Sequence, residues 1–188
     1  MRARTVNSAN KSIIEIDRRW MMTYTGKKFY PLVPESMDVD IRDIAVGLSR
    51  TCRFTKQCKP FFSVAQHSIL VSKKVSRRYA LWGLLHDAEE AYLPDVGRPI
   101  KPDLPEIVEI GKAIRTAILS HFNLPALCPP EVKEADNRML MTEAEQLMYS
   151  TEDWEYSGDP YPDIIIEPWS MVKAEKEFLK RYRYLVGK

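Results

Sequence analysis

Residues 84–90 read LLHDAEE, so a histidine and an aspartate stand side by side at the end of an apolar run. Apolar residues recur at helical spacing from Leu81 to Ala88, which predicts a buried helix that ends before Pro94. A charged side chain buried without a partner is costly, so the adjacent histidine and aspartate indicate a compensating group. Imidazole nitrogen and carboxylate oxygen together suit a divalent cation held at a seam between helices.

Helical patterns continue on both sides of this stretch. Asp40 and Ser63 are placed as N-caps of the two preceding helices, the second of which ends in a basic cluster at 73–78. Prolines introduce the two helices that follow, since the first helical turn tolerates proline. Residues 150–168 are predicted as loop. Besides the central one, the predicted helices span about 40–50, 63–74, 105–122, 129–149 and 169–185.

The N-terminal part has a different pattern. Residues 20–34 mix aromatic and β-branched side chains around Thr25 and Gly26, which predicts a hairpin or an irregular arm. The length of 188 residues fits one domain. The sequence therefore predicts a single all-α domain over 1–188, with an arm over about 1–39, a helical core over about 40–150, and a C-terminal loop and helix over about 151–188.

Composition narrows the class of partner. The 28 basic residues nearly balance the 26 acidic ones, which argues against a role in binding nucleic acid or an anionic membrane. The chain lacks an apolar run long enough for a membrane span and a leader of the secretory type, so we expect a cytoplasmic protein. The cysteines Cys52, Cys58 and Cys128 form no C-x-x-C pair and are expected to be reduced thiols.

Two further residues are candidates for a metal site. The chain holds three histidines, and His67 lies on the helix that precedes His86. Asp136 lies among apolar residues of a later helix. Taken singly, His67 is more often a structural histidine and Asp136 an ordinary helix carboxylate, whereas the pair of His86 and Asp87 favours a metal. His121 falls at a helix end, a common structural position for a cation, and is placed outside the site.

This order of residues, a histidine, then His-Asp, then a distant aspartate, resembles the HD-domain phosphohydrolases over roughly residues 52–149. The resemblance implies an HD-domain helical bundle whose metal ligands are His67, His86, Asp87 and Asp136. Within that superfamily the chain is similar to bacterial 5′-deoxynucleotidases and to phage enzymes that remove triphosphate from dATP. The similarity lies in residues 63–68, 86–90, 95 and 99–101.

The resemblance also implies the remaining site residues. Glu90 would orient or deprotonate the attacking water, with Asp95 beside it as a catalytic residue of the nucleotide site. Arg53, Phe54 and Lys101 would contact the substrate. The spacing independently supports this role of Glu90. It falls one helical turn after Asp87 on the predicted helix, so its carboxylate can reach water held by the metal.

Two positions depart from the pattern of these enzymes. Phe54 stands where the deoxynucleotidases carry tryptophan, so recognition of a 2′-deoxy sugar does not follow from the resemblance. Gln66 stands where an acid is expected beside the first histidine. Because outer partners orient metal ligands, this glutamine predicts weaker support of His67.

The function implied is metal-dependent hydrolysis of a nucleotide, with one divalent metal ion (Mn, Co, Zn, Fe or Ni) per site. The favoured substrates are (deoxy)nucleoside 5′-monophosphates, cleaved to nucleoside and phosphate. A triphosphohydrolase of the dATP type, which releases triphosphate, is the alternative, and a non-catalytic HD-fold nucleotide-binding protein is a second alternative. The enzymes it resembles also imply a homo-oligomer, a dimer or larger.

Overall fold

The computed structural model describes residues 19–94, 96–97, 99–154 and 158–187. Within these ranges the chain is an all-α bundle preceded by a short hairpin, which confirms the predicted fold class. The strands are β1 (Met21–Met22) and β2 (Lys28–Phe29). The helices are α1 (Ile41–Arg50), α2 (Val64–Lys74), α3 (Ala80–Leu85), α4 (Pro105–His121), α5 (Pro130–Leu147) and α6 (Met171–Leu185).

Polar side chains cap the starts of three helices. The carboxylate of Asp40 accepts from the N–H of Arg42 at the start of α1, and the hydroxyl of Ser63 accepts from Gln66 at the start of α2. Both predicted caps are therefore confirmed. The hydroxyl of Ser170 caps α6 in the same way, so this helix begins two residues later than the spacing predicted.

The hairpin arm is attached to the bundle by polar and aromatic contacts. β1 pairs antiparallel with β2, and Gly26 occupies the turn with a φ of 82°. The N–H and hydroxyl of Thr25 donate to the two carboxylate oxygens of Asp43 on α1, at 2.7 and 2.9 Å. Phe29 is fully buried and stacks on Tyr92, with ring centroids 4.0 Å apart. The arm therefore packs against the segment that follows the His-Asp pair.

The helix that carries the His-Asp pair is shorter than predicted. α3 ends at Leu85, and Asp87 has left the helical region, with φ −110° and ψ 22°. The chain continues as a 3-10 turn at Ala88–Ala91, in which the N–H of Glu90 donates to the carbonyl of Asp87. The prediction of one helix through Glu90 was therefore wrong.

Tertiary packing explains the early end of α3. The 3-10 turn lies directly against α1 at Gly47, where an added Cβ would come within 2.7 Å of the Cα of Ala91. Such an approach requires glycine, because any side chain at position 47 would displace the turn. The path of the chain after Leu85 is therefore set by contact with α1, which helical spacing does not report.

Helix α2 lies at the centre of the bundle. It packs against α1, α3, α5 and α6, and its residues from Val64 to Ile69 are buried. One apolar cluster joins α1, α2, α3, α4, α6 and the arm, and a second joins α2 and α3 to α5. Because α2 is surrounded in this way, a polar side chain in its first two turns lies deep in the protein.

None of the described helices has both the length and the apolar character needed to cross a membrane.

Candidate metal centre

The four residues predicted as metal ligands meet at one place between helices. His67 comes from α2, His86 and Asp87 from the end of α3, and Asp136 from α5. The Nε2 atoms of the two histidines are 3.2 Å apart. His86 Nε2 lies 3.1 Å from Asp87 Oδ2, and His67 Nε2 lies 3.0 Å from Asp136 Oδ1. Residues from three segments of the chain therefore share one polar cluster.

This cluster has the donor atoms and spacing of a metal site. Ligand atoms of His67, His86 and Asp87 all lie within 4.8 Å of one another, and the group could hold a metal ion. Asp136 is not part of this group of three, although its Oδ1 lies within 3.6 Å of both Nε2 atoms. Ligands about 2.0–2.2 Å from a tetrahedral ion are roughly 3.3–3.6 Å apart, so these separations fit a shared cation.

Hydrogen bonds at the far side of each ring orient the two histidines. The Nδ1 of His86 lies 2.8 Å from the carbonyl oxygen of Gly83, which can only accept. The Nδ1 of His67 lies 2.7 Å from Oε1 of Glu143. Each Nδ1 therefore donates its proton outward, which leaves the Nε2 lone pair facing the centre in the neutral ring.

Burial divides the centre into two parts. The side chains of His67 and Glu143 are fully buried and that of His86 is 6% exposed, whereas those of Asp87 and Asp136 are 19% and 23% exposed. Burial alone would lower the pKa of His86, but Asp87 and Asp136 raise it well above its usual value. Burial opposes ionisation of both aspartates, yet the histidines hold the pKa of each below its usual range. The carboxylates therefore remain charged.

Glu143 contacts the polar cluster directly, and the sequence analysis did not predict it. Its carboxylate accepts from His67 at Oε1 and from Arg53 at Oε2, the latter at 3.1 and 3.2 Å. The weak support predicted for His67 was therefore wrong, because Glu143 supplies the acid. Its position could have indicated this role, since it lies seven residues after Asp136 and two helical turns bring both to one face of α5.

Gln66 has a structural role instead. Its side-chain amide donates to the carbonyl of Glu167 at 2.8 Å, and its amide oxygen accepts from the N–H of Trp169 at 2.9 Å. Both partners precede α6 in the chain. Gln66 thus fixes the segment that leads into α6 against the central helix α2, while its neighbour His67 faces the polar cluster.

Arg53 lies behind the metal ligands as well as at the predicted substrate site. Besides the contact with Glu143, its Nη1 lies 3.6 Å from Oδ2 of Asp87. Burial alone would lower the pKa of Arg53, but the charges of Glu143 and Asp87 raise it above its usual value. Its guanidinium therefore links Glu143, which contacts His67, to Asp87, which lies on the cavity side of the cluster.

A cavity of about 790 Å³ opens in front of the centre. Its wall includes the exposed parts of Asp87 and Asp136. The other predicted site residues in the wall are Arg53, Phe54, Glu90 and Lys101. Asp95, the remaining predicted site residue, lies outside the described residues. The fold thus gathers the described candidates around one cavity, although Glu90 reaches it from the 3-10 turn rather than from a helix.

The chain is similar to proteins from the bacteria Escherichia coli and Rhodobacter capsulatus. It is 40% identical over 128 residues to the uncharacterized protein YfdR of Escherichia coli, in an alignment that covers 68% of this chain and 72% of YfdR. It is 35% identical over 144 residues to an uncharacterized protein of Rhodobacter capsulatus, with 69% and 74% of the two chains covered. No family model matches the chain.

Proposed function

This chain belongs to the same family as YfdR, and we propose that it is a metal-dependent phosphohydrolase of the HD-domain class that acts on nucleotides. One observation carries the proposal. The two Nε2 atoms of His67 and His86 face each other at 3.2 Å, with Asp87 and Asp136 beside them in the wall of a cavity of about 790 Å³. Sites for small ligands are commonly cavities of about 300–1,000 Å³.

In this proposal His67, His86, Asp87 and Asp136 hold one divalent ion, which is Mn, Co, Zn, Fe or Ni. Mixed nitrogen and oxygen donors suit these borderline cations. When bound, such an ion supplies positive charge that polarises a phosphoryl oxygen and makes water more acidic. A second ion would call for more histidines, and the remaining one, His121, donates from its Nδ1 to the carbonyl oxygen of Ser36, at 2.7 Å.

The other cavity residues have separate roles in this mechanism. Glu90 accepts a proton from the attacking water, which increases its nucleophilicity. Lys101 attracts the phosphate oxygens with a fixed positive charge. The guanidinium of Arg53 holds the carboxylates of Glu143 and Asp87 in position. The rings of Phe54 and Trp154, whose centroids are 6.1 Å apart, offer apolar surface to the nucleoside.

Charge in the cavity favours a monophosphate over a triphosphate. Among the described residues of its wall the basic ones are Arg53 and Lys101, and the guanidinium of Arg53 is already engaged by carboxylates. Four acids, Asp87, Glu90, Asp136 and Asp153, share the same wall. A triphosphate carries more negative charge and needs more compensating cations than this set offers. We therefore propose (deoxy)nucleoside 5′-monophosphates as substrates, cleaved to nucleoside and phosphate.

Elemental analysis followed by a nucleotide panel tests the proposal in one preparation. We expect close to one equivalent of a transition metal per chain and release of inorganic phosphate from deoxynucleoside monophosphates. Release of tripolyphosphate from deoxynucleoside triphosphates would instead identify a triphosphohydrolase. Failure to hydrolyse either panel with Mn, Co or Zn added would overturn the assignment to nucleotide hydrolysis.

Asp87→Ala distinguishes an enzyme from a nucleotide-binding protein of the same fold. The substitution removes a ligand, so metal content and turnover fall together if the centre is catalytic. Binding of a nucleotide at another surface would be unaffected, which equilibrium dialysis with a labelled monophosphate can measure.

A further inference from the structure

A second reactive group lies in the loop between α1 and α2. Cys52 and Cys58 are free thiols whose Sγ atoms are 3.6 Å apart. We infer that these two cysteines form a reversible intramolecular disulfide when the protein meets a hydroperoxide. The bond would close the loop that carries Arg53 and Phe54. Both residues line the cavity, and Arg53 also contacts Asp87 and Glu143.

Backbone contacts on both sides of the loop hold the two cysteines close together. Cys52 forms an isolated antiparallel bridge with Ser63, and the N–H of the next residue donates to the carbonyl of Phe62 at 2.8 Å. After Cys58, the N–H of Lys59 donates to the carbonyl of Leu147 at 2.9 Å. A disulfide needs its sulfurs at about 2.0 Å, so a modest movement of these anchored side chains brings them to bonding distance.

The loop between the cysteines is tightly folded. Phe54, Thr55 and Lys56 have φ values of 52°, 48° and 70°, in the left-handed region that residues other than glycine rarely occupy. The N–H of Lys56 donates to the carbonyl of Arg53 and the N–H of Gln57 to that of Phe54, at 3.0 and 2.9 Å, so this segment is a tight turn. It thus brings the ends of the loop together without a disulfide, which lowers the conformational cost of forming one.

The thiols are accessible to a small oxidant. Both line a cavity of about 610 Å³, whose wall also includes the basic residues Arg50 and Lys56. Positive charge beside a thiol favours the reactive thiolate. Burial and the neighbouring Cys52 raise the pKa of Cys58 to about 11, so Cys58 remains a protonated thiol near neutral pH. The thiol of Cys58 also donates to the carbonyl oxygen of Arg53, 3.7 Å from its Sγ, so we assign the first attack on the oxidant to Cys52.

The reaction balances with hydrogen peroxide as the oxidant. The Cys52 thiolate attacks one peroxide oxygen, the O–O bond breaks, and hydroxide leaves to become water with the proton released by Cys52. The sulfenic acid formed on Cys52 is then attacked by Cys58 sulfur, which forms the S–S bond and releases a second water. Two thiols are oxidised by two electrons, and one peroxide is reduced to two waters.

The test uses the full chain with Cys128→Ser, which removes the exposed third thiol. After treatment with hydrogen peroxide, we expect both remaining thiols to be lost together and the mass to fall by two hydrogen atoms. Trypsin cuts after Arg53 and Lys56, so the disulfide would join two separate peptides. Dithiothreitol should restore both thiols, and size-exclusion chromatography should show an unchanged molecular size.

The matched control adds Cys52→Ser to the same background and should yield no linked peptides. Circular dichroism before and after treatment shows whether each variant stays folded. Persistence of both thiols at excess peroxide, or addition of oxygen to each sulfur without a cross-link, would overturn the inference. Thiol counting uses no substrate and no metal, so its outcome is independent of the proposed phosphohydrolase activity.

Discussion

The candidate metal centre has a buried side and an open side, which differ in structure. On the buried side, His67, His86 and Glu143 come from α2, the end of α3 and α5, and are almost completely excluded from solvent. On the open side, Asp87 directly precedes the 3-10 turn that contains Glu90, and Lys101 lies exposed at the start of a second 3-10 turn. The buried side is thus held by helix packing, whereas the open side, apart from Asp136 on α5, depends on shorter segments.

This difference suggests a division of labour. Ion binding requires donor atoms that stay in place, and buried helices with satisfied hydrogen bonds provide them. Substrate must enter and leave, so the residues that contact it need exposure to the cavity. If this division is correct, substitutions on the buried side change metal affinity, while those on the open side that spare the ligands change turnover or substrate affinity alone.

The largest effect is expected from Asp87→Asn, which removes a charged ligand at the border of the two sides. Metal affinity should fall by more than about 100-fold, beyond the loss typical of outer partners, and phosphate release should stop. Elemental analysis after gel filtration measures the first effect. Asp153→Asn is the matched control, because Asp153 lines the cavity but lies outside the ligand cluster. Equal metal content in both variants would contradict the ligand assignment.

Glu90→Gln tests the open side without touching a ligand. The amide cannot accept the proton of water, so turnover should fall by about 100- to 10,000-fold with metal content unchanged. Glu106→Gln, at an exposed position in the first turn of α4, should behave like the unmodified protein. Loss of metal from the Glu90→Gln protein would show that the two sides are not separable.

Glu143→Gln tests the buried side through its outer partner. The substitution preserves the size of the side chain. It weakens the hydrogen bond from His67 and removes the negative charge that pairs with the guanidinium of Arg53. Metal affinity should fall by about 10- to 100-fold, as measured by competition with a chelator. Glu145→Gln, two residues on and exposed, is the control. An unchanged affinity would mean that Glu143 only stabilises the fold.

Lys101→Ala should have the smallest effect. An exposed lysine contributes at most about 1 kcal/mol to an ionic contact, so KM for the monophosphate should rise by a few-fold with kcat nearly unchanged. Steady-state kinetics separates the two constants. The exposed Lys112, which pairs with Glu109 on α4, offers Lys112→Ala as the control. A fall in kcat without a rise in KM would assign Lys101 to the chemical step instead.

The predictions made from the sequence also agree with the structure better in one part of the site than in the other. The helices bearing His67 and Asp136 were predicted from spacing, with an N-cap for the first and a leading proline for the second, and both residues meet at the cluster. On the open side, the helix predicted through Glu90 ends at Leu85. Helical periodicity reports which face of a regular element is buried, but it does not report where a neighbouring helix forces an end.

The sequence by itself determined the all-α class, an N-terminal arm, the caps at Asp40 and Ser63, and the adjacent His86 and Asp87 of the polar cluster, whereas His67 and Asp136 followed from the resemblance to HD-domain enzymes. These features depend on local spacing, or on residue types that are costly to bury alone. Only the tertiary structure decided that Glu143 lies behind His67, that Arg53 bridges Glu143 and Asp87, and that Gly47 admits the turn bearing Glu90. Each of these contacts joins residues far apart in the chain, and no local pattern specifies which distant surfaces will meet.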